Sequence, residues 1–217
     1  YALIGLGHLH YDFRDFHAAL HYWERMYDIG GDQVDIRVLT SLGNCHRKLK
    51  SFGEGIAYFE QALKREPDNF YALYGLADCY RGMRRTRESL RYWHRMIELE
   101  PENKVILTRT GDAYRNLGDT KSAEDYYRRA LEVEFDLYAV LGLAILRRRR
   151  GEYQAAAAEI ENIIDKDPDN ARLYLELADC YQAQKKMDQA VATLSRFMKR
   201  GGRSRAMGGP SAIVLDP

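Results

Sequence analysis

Small, bulky and polar positions recur along this chain with a long period, and the recurrence predicts helical hairpins from end to end. The segments LGNCHRKLKSFGEGIAYFEQALKREP, LADCYRGMRRTRESLRYWHRMIELEP and LADCYQAQKKMDQAVATLSRFMKRG align without gaps and set a period of 34 residues. Small residues fall at Gly7, Gly43, Ala77, Gly111, Ala144 and Ala178, spaced 36, 34, 34, 33 and 34. Twelve residues on, they fall again at Ala19, Gly55, Ser89, Ala123, Ala156 and Ala190. Four residues beyond each of these stands a bulky side chain: Trp23, Phe59, Trp93, Tyr127, Ile160 and Leu194. Two helices cross closely only where both present small residues, and a large residue fills the space beside the crossing. Pro67, Pro101 and Pro168 end three of the repeats, because proline cannot continue a helix. One repeat is therefore helix A, a short turn, helix B and a stop.

This small, large, proline spacing resembles the tetratricopeptide repeat. The resemblance covers about residues 1–200, in six repeats near 1–35, 36–69, 70–103, 104–136, 137–170 and 171–200. It implies an all-α fold, a right-handed superhelical solenoid of tandem helix-turn-helix repeats. The chain departs from the pattern in places: Phe135 stands near where the fourth proline would fall, the first repeat is two residues longer, and Arg147 replaces the tyrosine seen at Tyr80, Tyr114 and Tyr181. Residues 201–217 carry four glycines and two prolines, and are expected to form a flexible tail with an apolar end, Ile213-Val214-Leu215. That end is expected to dock on its own repeat stack or on a neighbouring copy, because a repeat stack needs a cover for its last helix pair.

Composition excludes several function classes. The chain is 46% hydrophobic and 30% charged, and its net charge of +1 leaves no global field to draw nucleic acid or anionic lipid. It has no membrane-length apolar run and no signal-peptide pattern. It begins Tyr1-Ala2-Leu3 without methionine and reads as a piece of something longer, which leaves the compartment open. Cys45, Cys79 and Cys180 form no CxxC pair, and all occupy the tenth place of their repeats, where Ala113 sits in the fourth. They read as small packing residues. His17 and His21 share a helix face but lack a third ligand, so no metal site is expected. The run Arg147-Arg148-Arg149-Arg150 ends a helix at Gly151, where cations and glycine both belong. No phosphate loop or hydrolase motif occurs, and no catalytic constellation or cofactor is expected.

In the family the A helices line a concave groove that takes extended or helical peptides, so the groove positions of helix A are the candidate site. Its most regular row is basic: Arg47, Arg81, Arg115 and Arg148, with Lys48 beside the first. Guanidinium groups suit carboxylates, which points to an acidic peptide. Asp78 and Asp112 stand three residues before Arg81 and Arg115, and local ion pairs on one helix face explain the same row. Tyr71, Tyr74 and Tyr138 form an aromatic row, each expected to expose much of its ring. Asn44, Thr108 and Arg109 complete the groove set. Gly5, Gly75 and Gly142, all at the sixth place, sit mid-helix, where glycine costs about 1 kcal/mol; neighbouring helices or a ligand backbone must use the room. Some members of the family grip a C-terminal carboxylate with Lys, Asn, Asn, Lys and Arg. Asn44 and Arg109 match that clamp, but Thr40, Gly75 and Val105 do not. The function expected is a protein-interaction scaffold for an extended, acidic partner segment. Its alternatives are a substrate-recruiting arm of a larger enzyme and a module that self-associates through the 201–217 tail or the stack ends.

Overall fold

The computed structural model describes the backbone of residues 2–207 and the side chains of that span except Asp32 and 202–207. Twelve α-helices occupy it, with one 3-10 turn at Gly31–Gln33. The A helices are α1 (Ala2–Asp12), α3 (Ile36–Lys48), α5 (Phe70–Gly82), α7 (Lys104–Leu117), α9 (Leu137–Arg149) and α11 (Ala171–Ala183). The B helices are α2 (Phe16–Gly30), α4 (Phe52–Arg65), α6 (Thr86–Leu99), α8 (Thr120–Val133), α10 (Tyr153–Ile164) and α12 (Met187–Met207). Contacts divide the chain into two compact bodies, Tyr1–Tyr126 and Tyr127–Pro217.

Each A helix after the first starts behind an Asx cap. Asp35, Asn69, Asn103, Asp136 and Asn170 accept from the backbone N–H of Arg37, Ala72, Ile106, Ala139 and Arg172. A side-chain oxygen at this position satisfies an amide that the helix itself leaves open. The turn between helices A and B places one residue per repeat in the left-handed region: Arg14, Lys50, Arg84 and Lys185 at φ 59–62°, and Gly118 and Gly151 at 83° and 87°. The 3-10 turn absorbs the two extra residues of the first repeat.

In the N-terminal body, α1 pairs with α2, α3 with α4 and α5 with α6, and each B helix then packs on the next A helix. The crossings lie at the small residues. Ser89 on α6 approaches α5 closely enough for its hydroxyl to donate to the Ala77 carbonyl at 2.8 Å. The Phe59 ring is fully buried, and a Cβ added at Gly43 would meet it at 2.7 Å and one at Gly75 at 2.2 Å. Burying such a ring stabilises by about 3 kcal/mol. Glycine at both places makes room for it. The C-terminal body repeats the device, with a Cβ at Gly142 lying 2.3 Å from the buried Tyr127 ring. Neighbouring helices therefore use the room at Gly75 and Gly142, whereas at Gly5 nothing lies within 4 Å of an added Cβ.

In the C-terminal body, α9 pairs with α10 and α11 with α12, around Leu141, Ile160, Ile164, Leu173 and Leu177. One boundary needs correction. A linker was expected from Gly201, but α12 runs through Gly201 and Gly202 to Met207. Glycine weakens a helix by about 1 kcal/mol without stopping it, and extending a formed helix needs no new nucleus. The Ile213-Val214-Leu215 end lies outside the described residues. On α12, Met187, Val191, Leu194 and Met198 form an exposed apolar stripe.

Candidate functional site

The A helices of the N-terminal body carry most of the candidate residues, and their charges are not equally available. Asp78, on α5, is buried and joins two arginines. Its Oδ2 accepts from Arg47 Nη1 of α3 at 2.5 Å, and its Oδ1 accepts from Arg81 Nε at 2.8 Å and Nη2 at 2.6 Å. Arg47 spends its remaining donors on Asn44, whose Oδ1 accepts from Nη2 at 3.1 Å and Nε at 3.3 Å. Only 15% of the Arg47 side chain stays exposed. Burial works to raise the Asp78 pKa, but Arg81 and Arg47 outweigh it and hold the carboxyl below its usual 3.8. Burial pushes the hydroxyl of Tyr11 upward, with Arg47 alongside acting the other way. Arg47 thus ties α3 to α5 rather than standing open to a ligand.

Arg81 differs. Its side chain is 46% exposed, and Nη1 has no partner among the described residues. Two bonds from Nε and Nη2 to one oxygen of a fixed carboxylate hold the guanidinium in place and leave its Nη1 edge available. On α7, Arg115 Nη2 donates to Asp112 Oδ1 at 2.8 Å, with 11% of the arginine exposed, so this pair is the local ion pair that its spacing suggests. Lys48 is exposed and Arg109 half-buried; among the described residues neither has an ion-pair or hydrogen-bond partner. Thr108 is buried and serves the interior of the helix layer.

The tyrosines separate in the same way. Tyr71 is 74% exposed at the start of α5. Tyr74, one turn on, is half-buried with its ring edge against Trp93, centroids 5.3 Å apart, so it belongs to the packing more than to the surface. In the C-terminal body Tyr138 is 53% exposed on α9. Arg148, at the end of the same helix, donates from Nη2 to Glu176 Oε2 of α11 at 3.0 Å and lies 3.8 Å from Asp179 Oδ2. It bridges two A helices as Arg47 does. The residues left available are Lys48, Arg81, Arg109 and Tyr71 in the N-terminal body and Tyr138 in the C-terminal one.

A second aromatic series escapes the groove positions altogether. His10 stacks on Tyr22, His46 on Tyr58, Tyr80 on Tyr92 and Tyr114 on Tyr126, with interplanar angles of 24°, 16°, 7° and 8°. Each pair is separated by twelve residues, the spacing that already relates the small residues, so a search at that interval finds it. In the fifth repeat the stack gives way to an ion pair, Arg147 Nη2 to Glu159 Oε1 at 3.2 Å. Burial raises the Glu159 pKa, opposed by Arg147. The three cysteines are fully buried, and burial pushes the thiols of Cys45 and Cys79 up to about 12 and that of Cys180 to about 11. They are inert packing residues.

Comparison with known proteins agrees with this architecture. Four family models, each described as tetratricopeptide repeat, match residues 40–82, 71–103, 106–137 and 148–206. A tetratricopeptide repeat protein from Parabacteroides merdae superimposes with a TM-score of 0.79 at 25% identity, covering 91% of this chain and 78% of that one. Two others share the fold alone. PilW, a widely conserved type IV pilus biogenesis factor, has a TM-score of 0.69 at 18% identity over 77% of this chain and 78% of its own. YrrB, described as a TPR protein with an unusual peptide-binding site, has a TM-score of 0.59 at 17% identity over 82% of this chain and 91% of its own. No curated protein matches the chain in sequence. With repeat matches over most of its length and a solved repeat protein aligned across nine-tenths of it, the chain belongs to the tetratricopeptide-repeat family.

Proposed function

We propose that this chain is a protein-interaction scaffold whose N-terminal body holds an extended, acidic segment of a partner protein along its A helices. The supporting observation is the charge left over after internal pairing. Arg47, Lys48, Arg81, Arg109 and Arg115 face two carboxylates, Asp78 and Asp112, and the pairing leaves Lys48, Arg109 and one edge of Arg81 free. Tyr71 adds an exposed ring at low entropic cost. Repeat solenoids generally serve as non-catalytic binding surfaces, and YrrB has a peptide-binding site on the same fold.

The test is a selection of random peptides on the 217-residue chain and on a Lys48→Glu, Arg81→Glu, Arg109→Glu triple variant. Asp and Glu should be enriched among peptides held by the wild type and not by the variant, with helicity unchanged. Arg47 and Arg115 are left alone because their loss would disturb packing. Peptides with no acidic bias, or the same bias on both proteins, would refute the proposal.

A further inference from the structure

The three available cations have a geometry as well as a charge, and the geometry limits which acidic segments fit. Lys48 ends α3 at the thirteenth place of its repeat, Arg81 lies at the twelfth place on α5, and Arg109 at the sixth on α7. α3 and α5 pack side by side. Packed helices lie about 10 Å apart, and one residue along a helix adds about 1.5 Å, so Lys48 and Arg81 stand about 10 Å from each other. α5 and α7 both pack on α6, and taking the same step of about 10 Å between successive repeats, the six residues that Arg109 lies nearer the start of its helix add about 9 Å, a diagonal of about 13 Å. An extended chain advances about 3.3 Å per residue. It therefore covers the first interval in about three residues and the second in about four.

Resting on the scaffold reading above, we infer that the cognate segment is an extended peptide with three carboxylates over eight residues, spaced three and four apart, the middle one on Arg81. Arg81 is the specificity-determining member. Asp78 grips its Nε and Nη2, and Arg47, itself held by Asn44, holds Asp78 from the other side. Its outward edge is fixed before a ligand arrives, which lowers the ordering cost of binding. Lys48 has no such support and supplies charge without direction.

Four eight-residue Ser/Thr peptides with three Glu each test this by fluorescence anisotropy at low salt. In two, Glu occupies places one, four and eight or one, five and eight, which covers both chain directions. In the controls Glu occupies places one to three, or one, three and five. One of the first pair should bind at least fivefold tighter than either control, and Arg81→Lys should erase that preference while net charge and helicity stay unchanged. Equal binding by all four peptides overturns the spacing and leaves the acidic groove standing. If no acidic peptide binds above a Ser/Thr peptide without Glu, the scaffold reading falls with it. A preference that survives Arg81→Lys overturns the role given to Arg81.

Discussion

Gly5 and Gly75 occupy the same place in their repeats and should respond to alanine with opposite signs. In a helix interior, alanine is favoured over glycine by about 1 kcal/mol, and at Gly5 nothing opposes that gain, since no atom lies within 4 Å of the new Cβ. At Gly75 the new Cβ would fall 2.2 Å from Phe59 Cζ, and the ring has little room to retreat, because it is fully buried and its Cε1 and Cζ also lie against Gly43. Overpacking a filled core costs about 1–3 kcal/mol, and a contact this short on a fully buried ring belongs at the upper end. The expected net effects are a stabilisation of about 1 kcal/mol for Gly5→Ala and a loss of about 1–2 kcal/mol for Gly75→Ala. Urea denaturation followed by circular dichroism measures both. Phe59→Leu in the Gly75→Ala background should recover part of the loss, because the branched side chain withdraws from the new methyl. If both alanine variants shift the midpoint in the same direction, the close-packing account of Gly75 is wrong.

Two further predictions concern the turns and one histidine. Arg84→Gly should raise stability by about 0.5–1 kcal/mol by relieving a left-handed arginine at φ 59°, and Gly118→Ala, at φ 83°, should lower it by about 1 kcal/mol; thermal melts read both, and no change in either would refute the strain. His94 on α6 lies with Nε2 2.9 Å from the Tyr114 hydroxyl and Nδ1 3.4 Å from that of Tyr126, and burial lowers its pKa below 6.5, opposed by Glu98. Folding thus favours the neutral ring: its contribution is complete above pH 6.5 and declines as pH falls through that value toward the lower folded one. His94→Gln should flatten the stability profile between pH 7 and 5, and an unchanged profile would show that the ring does not titrate with folding.

What was legible in the sequence was what repeats locally. The small residues and most of the bulky ones lie in the interior because crossing helices need both, and Asp78 with Arg81 follows from three-residue spacing on one helix. The bond from Arg47 to the same Asp78 spans 31 residues and depends on the register between α3 and α5, which no single-helix pattern carries. For that reason the arginine row read as one surface when two of its members, Arg47 and Arg148, are cross-braces between helices. Tyr74 was misplaced similarly: its period puts it on the groove side, and Trp93 draws the ring inward. The end of α12 was missed because glycine is a cost in a helix and not a barrier.

The shared seat of the Phe59 ring also bears on how such a chain can change by duplication and loss of whole repeats. Phe59 and Tyr127 are each followed, in the next repeat, by a glycine at the sixth place, whereas Trp23, Trp93 and Ile160 are followed by Ser41, Arg109 and Glu176. A copy of the second repeat inserted after itself would set a serine Cβ where Gly75 now leaves none, against a ring with little room to move. Gene rearrangements that keep the period can therefore still fail on neighbour identity. At Phe59 and Tyr127 the order of the repeats is constrained by matched pairs, the buried ring together with the glycine that receives it.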